Sequence, residues 1–213
     1  FTLGLGVTHP PVSEGWFGVP YRGIVDACAE VLDALGSLFS PERRVDLDGL
    51  HVAAHIHTTL AGPAPALMLA GLGPRMVDLA GRATEGTITW MTGPAVLGAS
   101  ITPRLVAAAA AADRPAPRIV VGIPVCVTDD VAAARDRLAP MMERVSTMPS
   151  YRRQVEAEQI DAPVDLVVLG DESTVTEHLE AFRDAGMTEL CANIVGTDEE
   201  RAHTRAVLAS LPR

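Results

Sequence analysis

The sequence predicts an α/β fold: a parallel β-sheet with helices packed outside it. Three observations lead there. Strand-like segments are short, continuous apolar runs, the pattern of strands covered on both faces; Leu67-Met68-Leu69-Ala70 is one, and Arg118 to Val127 (RIVVGIPVCV) is the strongest. Strand and helix patterns alternate along the chain through five main strands. Two successive strands also end in the same device, a glycine and then a proline that opens a helix, at Gly71-Leu72-Gly73-Pro74 and at Thr92-Gly93-Pro94. Five such strands suit an open doubly wound sheet or part of a (β/α)8 barrel. At 213 residues, a single domain over 1–213 is the expectation.

Taken in order, Phe1 to Val7 (FTLGLGV) reads as a strand from the first residue. Thr8 to Val19 is a Pro/Gly-rich loop carrying His9, Glu14 and Trp16, and loops at strand ends are where binding groups collect. Ile24, Cys28, Val31, Leu32, Leu35 and Leu38 mark an amphipathic helix opened near Pro20. Val45 to Val52 reads as a small hairpin turning at Asp48-Gly49, followed by His51, His55 and His57. After the run at Leu67, Met76, Leu79, Ala80 and Ala83 repeat at helical spacing from Pro74, with Gly86 as the stop. Thr87 to Met91 is the next strand. Thr102-Pro103 reads as cap and first residue of an Ala-rich helix to Ala112.

Beyond the strand at Arg118, Thr128-Asp129-Asp130 caps a helix that Pro140 kinks or divides. Pro149 to Gln159 forms a further short helix, and Asp165 to Gly170 a brief apolar segment. Val175, Leu179 and Phe182 face inward on a helix from about Glu172 to Ala185, ended by Gly186. Glu189 to Val195 is the last strand and Asp198 to Leu211 the last helix.

Composition narrows the function. A net charge of −10 argues against general affinity for nucleic acid or an anionic membrane, so any phosphate must be met locally. No apolar run approaches the roughly 20 residues of a membrane span, and no signal peptide is visible. All 17 basic residues are arginine; without lysine, Schiff-base catalysis and P-loop chemistry are excluded. Cys28, Cys126 and Cys191 are far apart and set among apolar residues, which fits buried free thiols in a reducing cytoplasm.

The two glycine–proline junctions present backbone N–H groups at helix starts, chemistry suited to an anion and above all to a phosphate. Other features read more plainly. His51, His55 and His57 could converge on a metal, but no nearby Cys or carboxylate completes a set, so no metal is expected. Gly4-Leu5-Gly6 and Gly71-Leu72-Gly73 fall short of a dinucleotide fingerprint, and Ser100 lacks a nucleophile elbow. Trp16 and Trp90 read as partly core. Arg152-Arg153 and Glu199-Glu200-Arg201 read as solvated helix faces.

FTLGLGV, AGLGPRM…LAGRATEGTITW, RIVVGIPVCVTDD and VLGDESTVTEHLEAFRDAGMTEL together resemble the luciferase-like superfamily of flavin- and deazaflavin-dependent oxidoreductases, built on a TIM barrel. The AGxGP–helix–LAGRATEG–strand pattern followed by TGP resembles the branch that uses coenzyme F420. The resemblance implies a partial barrel, about strands four to eight, the C-terminal portion of such an enzyme. It implies that Gly71, Leu72, Gly73, Pro74 and Arg75 hold one side of the cofactor's phosphate end and Thr92, Gly93 and Pro94 the other. Relatives add lysines there; here Arg75, or else Arg104, would have to substitute. The implied reaction is hydride transfer between F420 and a small organic substrate, with His9 and Glu14 as acid/base candidates. Two rival readings are an FMN-dependent monooxygenase and a catalytically silent fragment or binding module. Relatives are often dimers, so a homodimer is the implied assembly, in the cytoplasm.

Overall fold

The computed structural model describes residues 1–59 and 62–211. The chain divides into two compact units, Phe1–Thr87 with Leu105–Pro117, and Ile88–Arg104 with Arg118–Arg213.

In the first unit, β1 (Thr2–Leu5) runs parallel to β4 (Ala66–Ala70), with Thr2 opposite Ala66 and Leu5 opposite Leu69. Met68 and Leu69 are fully buried, as a strand covered on both faces requires. Next comes α3 (Pro74–Ala83), whose Met76, Val77, Leu79 and Ala80 are buried on one side. The helix stops earlier than its glycine suggests: Thr84 donates its hydroxyl to the Ala80 carbonyl at 2.8 Å, and Gly86 is already the first residue of β5 (Gly86–Trp90). Thr87 then donates to the Leu69 carbonyl at 2.9 Å, tying the start of β5 to β4. Gly81 allows α3 to touch the end of α5 (Thr102–Ala111); a Cβ there would lie 2.6 Å from the Leu105 carbonyl oxygen.

Two further elements of this unit differ from expectation. Thr8 to Val19 is not all loop: Pro10–Gly15 forms α1, because consecutive prolines at its first positions pre-set the helical φ. Helix α2 (Ile24–Phe39) opens at Gly23 rather than Pro20. The hairpin is real but shifted, with β2 (Arg44–Asp48) antiparallel to β3 (Ala53–His57) and residues 49–52 as its turn. Glu30 of α2 sets that shift: its carboxylate accepts the N–H groups of Leu50, His51 and Val52 at 3.0, 2.6 and 2.8 Å. Residues 50–52 are thereby held out of the ladder.

In the second unit, β6 (Arg118–Val127) is central and buried almost throughout. It runs parallel to β8 (Glu189–Ile194) over Val120–Val125 and to the short β7 (Val168–Gly170) over Val125–Val127. Around it lie α6 (Val131–Ser146), α7 (Pro149–Glu158), α8 (Glu172–Asp184) and α9 (Asp198–Ser210). Val175, Leu179 and Phe182 are buried, as their spacing predicts. Pro140 does not divide α6, which runs through it.

The Ala-rich helix begins earlier than expected. The stretch Pro94–Ala111 is one continuous helix: α4 (Pro94–Val96), a π-helical turn (Leu97–Ile101), then α5. The wider turn precedes Pro103, which has no N–H to give to a normal helical bond. Thr102 is not a cap; its hydroxyl donates to the Ala185 carbonyl at 2.7 Å. At 18 residues this helix is long and apolar enough to cross a membrane by length and composition, but it buries Leu97, Ile101, Leu105 and Ala109 along one side. That is the stripe of a core-facing helix.

Candidate functional site

The second glycine–proline turn is the better formed of the two. It begins with a strained residue: Met91, fully buried, has φ 56°, a conformation that bulky side chains avoid, and its N–H donates to the Gly122 carbonyl at 3.3 Å. Thr92 and Gly93 follow, both buried, and Pro94 opens the long helix. The first free N–H groups of that helix belong to Ala95 and Val96. They are not free: they donate to Glu158 Oε1 and Oε2 at 2.8 and 2.9 Å. Gly93 makes this approach possible, because a Cβ there would lie 2.3 Å from both Cδ and Oε1 of Glu158. One turn earlier on α7, the buried Gln154 accepts the Thr92 hydroxyl at 3.4 Å. The turn therefore holds an anion in this structure, the internal carboxylate of Glu158.

Beside the seat lies a cavity of about 220 Å³, bounded by Gly93, Pro94, Glu158, Asp165, His178 and Phe182 among others. Asp165 is committed to Arg135 and to the Ala162 N–H at 2.9 Å, and the Arg135 bond holds its carboxyl below the usual range. Sequence reasoning missed Glu158 and Gln154. Their spacing of four on a helix is a signal for one shared face, but nothing in the sequence says which turn that face meets.

The first turn lies in the first unit. Gly73 is the N-cap of α3 and supplies no side chain, and its carbonyl accepts from Met76 and Val77 N–H at 3.0 Å. A Cβ on Gly71 would lie 2.7 Å from Met76 Cγ, whereas one on Gly73 would meet nothing within 4 Å. Leu72 is half-buried and Pro74 exposed. Arg75, the expected phosphate cation, is paired with Asp26 of α2 at 3.4 Å, with both side chains largely in solvent.

His9 is the N-cap residue of α1, its carbonyl accepting from Val12 and Ser13 N–H. Glu14 accepts the Tyr21 N–H at 3.0 Å and so fastens the loop after α1. Trp16 is 79% exposed and is not core, whereas Trp90 lies against Gly122, whose Cβ would be 2.6 Å from its ring. Cys126 is buried, but Cys191 is exposed on β8, where alternate residues face outward.

His51 lies in the hairpin turn, whereas His55 and His57 stand on β3. His55 pairs with Asp46 at 2.5 Å and Asp48 at 3.1 Å, so carboxylates do stand beside it, and those bonds raise its pKa. The antiparallel register creates this contact by setting Asp46 opposite His55, a pairing the expected hairpin register does not contain. Among the described residues no group of three ligand-type side chains is placed to hold a metal.

The family model for luciferase-like monooxygenases matches residues 1–210. No curated protein matches the chain. An F420-dependent secondary alcohol dehydrogenase, solved with an F420-acetone adduct, superposes with a TM-score of 0.81 at 16% identity, covering 100% of this chain and 70% of that one. The coenzyme F420 dependent tetrahydromethanopterin reductase of Methanopyrus kandleri gives 0.69 at 15% identity, covering 97% and 72%. The oxygenating constituent of 3,6-diketocamphane monooxygenase from Pseudomonas putida, in complex with FMN, gives 0.70 at 18%, covering 98% and 69%. These matches give no support to reading the chain as a C-terminal portion only, and the assignment of its strands as four to eight of a barrel rests on resemblance alone. By the match over nearly its whole length, the chain belongs to the luciferase-like monooxygenase family.

Proposed function

We propose that the protein is an F420-dependent oxidoreductase that transfers a hydride between the deazaflavin and a small organic substrate. The observation that carries this reading is the seat at Thr92-Gly93-Pro94, where two adjacent helix N–H groups hold two oxygens of one anion. A phosphate suits that geometry, since a helix N-terminus favours negative charge by roughly 0.3–1 kcal/mol when exposed and up to about 2 when partly buried. Likeness to two F420-dependent enzymes supports the deazaflavin.

In this reading Thr92, Gly93 and Pro94 hold the phosphate end through the Ala95 and Val96 N–H groups. Gly71, Leu72, Gly73 and Pro74 offer a second glycine–proline helix start, with Arg75 as its cation once released from Asp26. The bound cofactor supplies hydride chemistry. The chain's own part is to fix the cofactor and exclude water, with His9 and Glu14 as the groups that hold or move a proton. Glu14 must first give up the Tyr21 N–H.

A second reading keeps the seat and exchanges the cofactor for FMN, which the likeness to an FMN-bound monooxygenase supports. Fluorescence titration of the purified chain with oxidised F420 and, separately, with FMN tests both. Saturable F420 binding with FMN ignored is the expected result, and FMN binding with F420 ignored overturns it.

A further inference from the structure

We infer that Glu158 is an intramolecular latch on the phosphate seat, an internal anion that an incoming phosphate group must displace. The inference rests on the proposed cofactor site and says how that site is regulated. Three features of α7 carry it. Its last residue, Glu158, places one carboxylate oxygen on each of two adjacent N–H groups, at 2.8 and 2.9 Å, the bidentate arrangement two phosphate oxygens would make. The carboxylate lies directly against Gly93, so it and a phosphate cannot share the turn. Gln154, on the same face, reaches Thr92, the residue before the glycine. One helix face thus covers the whole Thr92-Gly93-Pro94 turn.

The latch has somewhere to go. The next residue, Gln159, has φ 59° and ends α7 in a left-handed turn, so Glu158 is the terminal side chain of its helix. The adjoining cavity of about 220 Å³ is lined largely by apolar side chains such as Ile160, Leu166 and Phe182, so a displaced carboxylate turns instead to solvent, which the half-buried Glu158 already reaches. An ordinary helix cap is a Ser, Thr, Asp or Asn at the N-cap position of its own helix. Here the N-cap is a glycine without a side chain, and the cap comes from 62 residues away and a different helix. The seat is therefore held by a part that can leave without unfolding the helix it caps.

Competition of this kind lowers the apparent affinity of any phosphate-bearing ligand to its intrinsic value multiplied by the fraction of the latch that is open. Removing the carboxylate should therefore tighten binding. The test compares the parent chain with Glu158→Ala and Glu158→Gln, using F420, FMN and inorganic phosphate as probes. Glu158→Ala is expected to melt below the parent and to be restored by millimolar phosphate, which barely moves the parent. It is also expected to bind the cofactor roughly tenfold more tightly, with Glu158→Gln in between because its amide keeps one acceptor oxygen. Should Glu158→Ala not fold, Glu158→Gln carries the same comparison.

Equal or weaker cofactor binding by both variants, with no added stabilisation by phosphate, overturns the latch. If the cofactor binds parent and variants alike, the latch fails and the cofactor reading stands. If no cofactor binds but phosphate still stabilises the variants selectively, the latch on an anion seat stands and the cofactor reading fails.

Discussion

Gly93→Ala should damage the seat in a way that Glu158 variants do not. Gly93 has φ −84° and ψ 173°, extended backbone that alanine adopts freely, so the substitution brings no strain of its own. Through the unfolded state alone it would stabilise the protein by roughly 0.4–1 kcal/mol. Against that, the new methyl would lie 2.3 Å from Glu158 Oε1, and the flexible carboxylate must withdraw. The Ala95 and Val96 N–H groups then lose a charged acceptor at a partly buried helix start, a cost of about 2 kcal/mol. The net expectation is a loss of about 1–1.5 kcal/mol, which for a chain of this size lowers the melting temperature by roughly 2–6 °C. The methyl also fills the space a phosphate would use, so phosphate should not restore the lost stability. Calorimetry with and without phosphate reads both effects. Melting within a degree of the parent, or recovery on adding phosphate, would refute the geometry argued for this turn.

Packing, thiol exposure and paired carboxylates elsewhere in the chain can each be probed directly. Gly81→Ala should be more damaging, because its Cβ would sit 2.6 Å from the Leu105 carbonyl oxygen and 3.1 Å from the Ala109 nitrogen, backbone atoms that cannot swing aside; overpacking of this kind costs about 1–3 kcal/mol, visible in a denaturant melt. Iodoacetamide should label Cys191 first and leave Cys126 untouched in the native protein, since Cys191 is exposed while burial pushes the Cys126 thiol up to about 11; mass spectrometry gives the order, and early modification of Cys126 would contradict its placement. Stability should fall on acidification. Asp165 beside Arg135, Asp171 at the start of α8, and Glu189 beside Arg118 all have lowered pKa values, as does Glu200, where burial raises the value but bonds from Thr197, Arg137 and Thr128 outweigh it. Groups depressed in the folded state stabilise above the unfolded value of about 4 and lose that contribution as pH drops through the folded one, so melting temperatures should decline below about pH 4.

Most of the fold was legible because its elements state themselves locally. The continuous apolar run of β6, the 3.6-residue spacing of Val175, Leu179 and Phe182, and the prolines at the first positions of α3 and α4 each act within a few residues. The structure departs from the sequence pattern where the hydrogen bonds of a single side chain decide. Glu30 pulls residues 50–52 out of the hairpin, and Thr84 ends α3 before the glycine can. The π-helical turn ahead of Pro103 was not legible, because a Thr-Pro pair reads as a helix start as readily as a wider turn inside a longer helix. The candidate site was legible in its backbone, since glycine followed by proline announces a helix start with exposed N–H groups. It was not legible in its occupant. Glu158 looks like any solvated glutamate at the end of a short helix, and only the packing of α7 against α4 brings its carboxylate to Ala95 and Val96.

Titration of oxidised F420 into the purified 213-residue chain, followed by fluorescence and repeated with Gly93→Ala, tests the central claim most directly. Saturable binding to the parent that weakens at least tenfold in Gly93→Ala is the predicted result, a change of about 1.4 kcal/mol in binding free energy. Equal binding by both proteins would place the phosphate elsewhere and contradict the account.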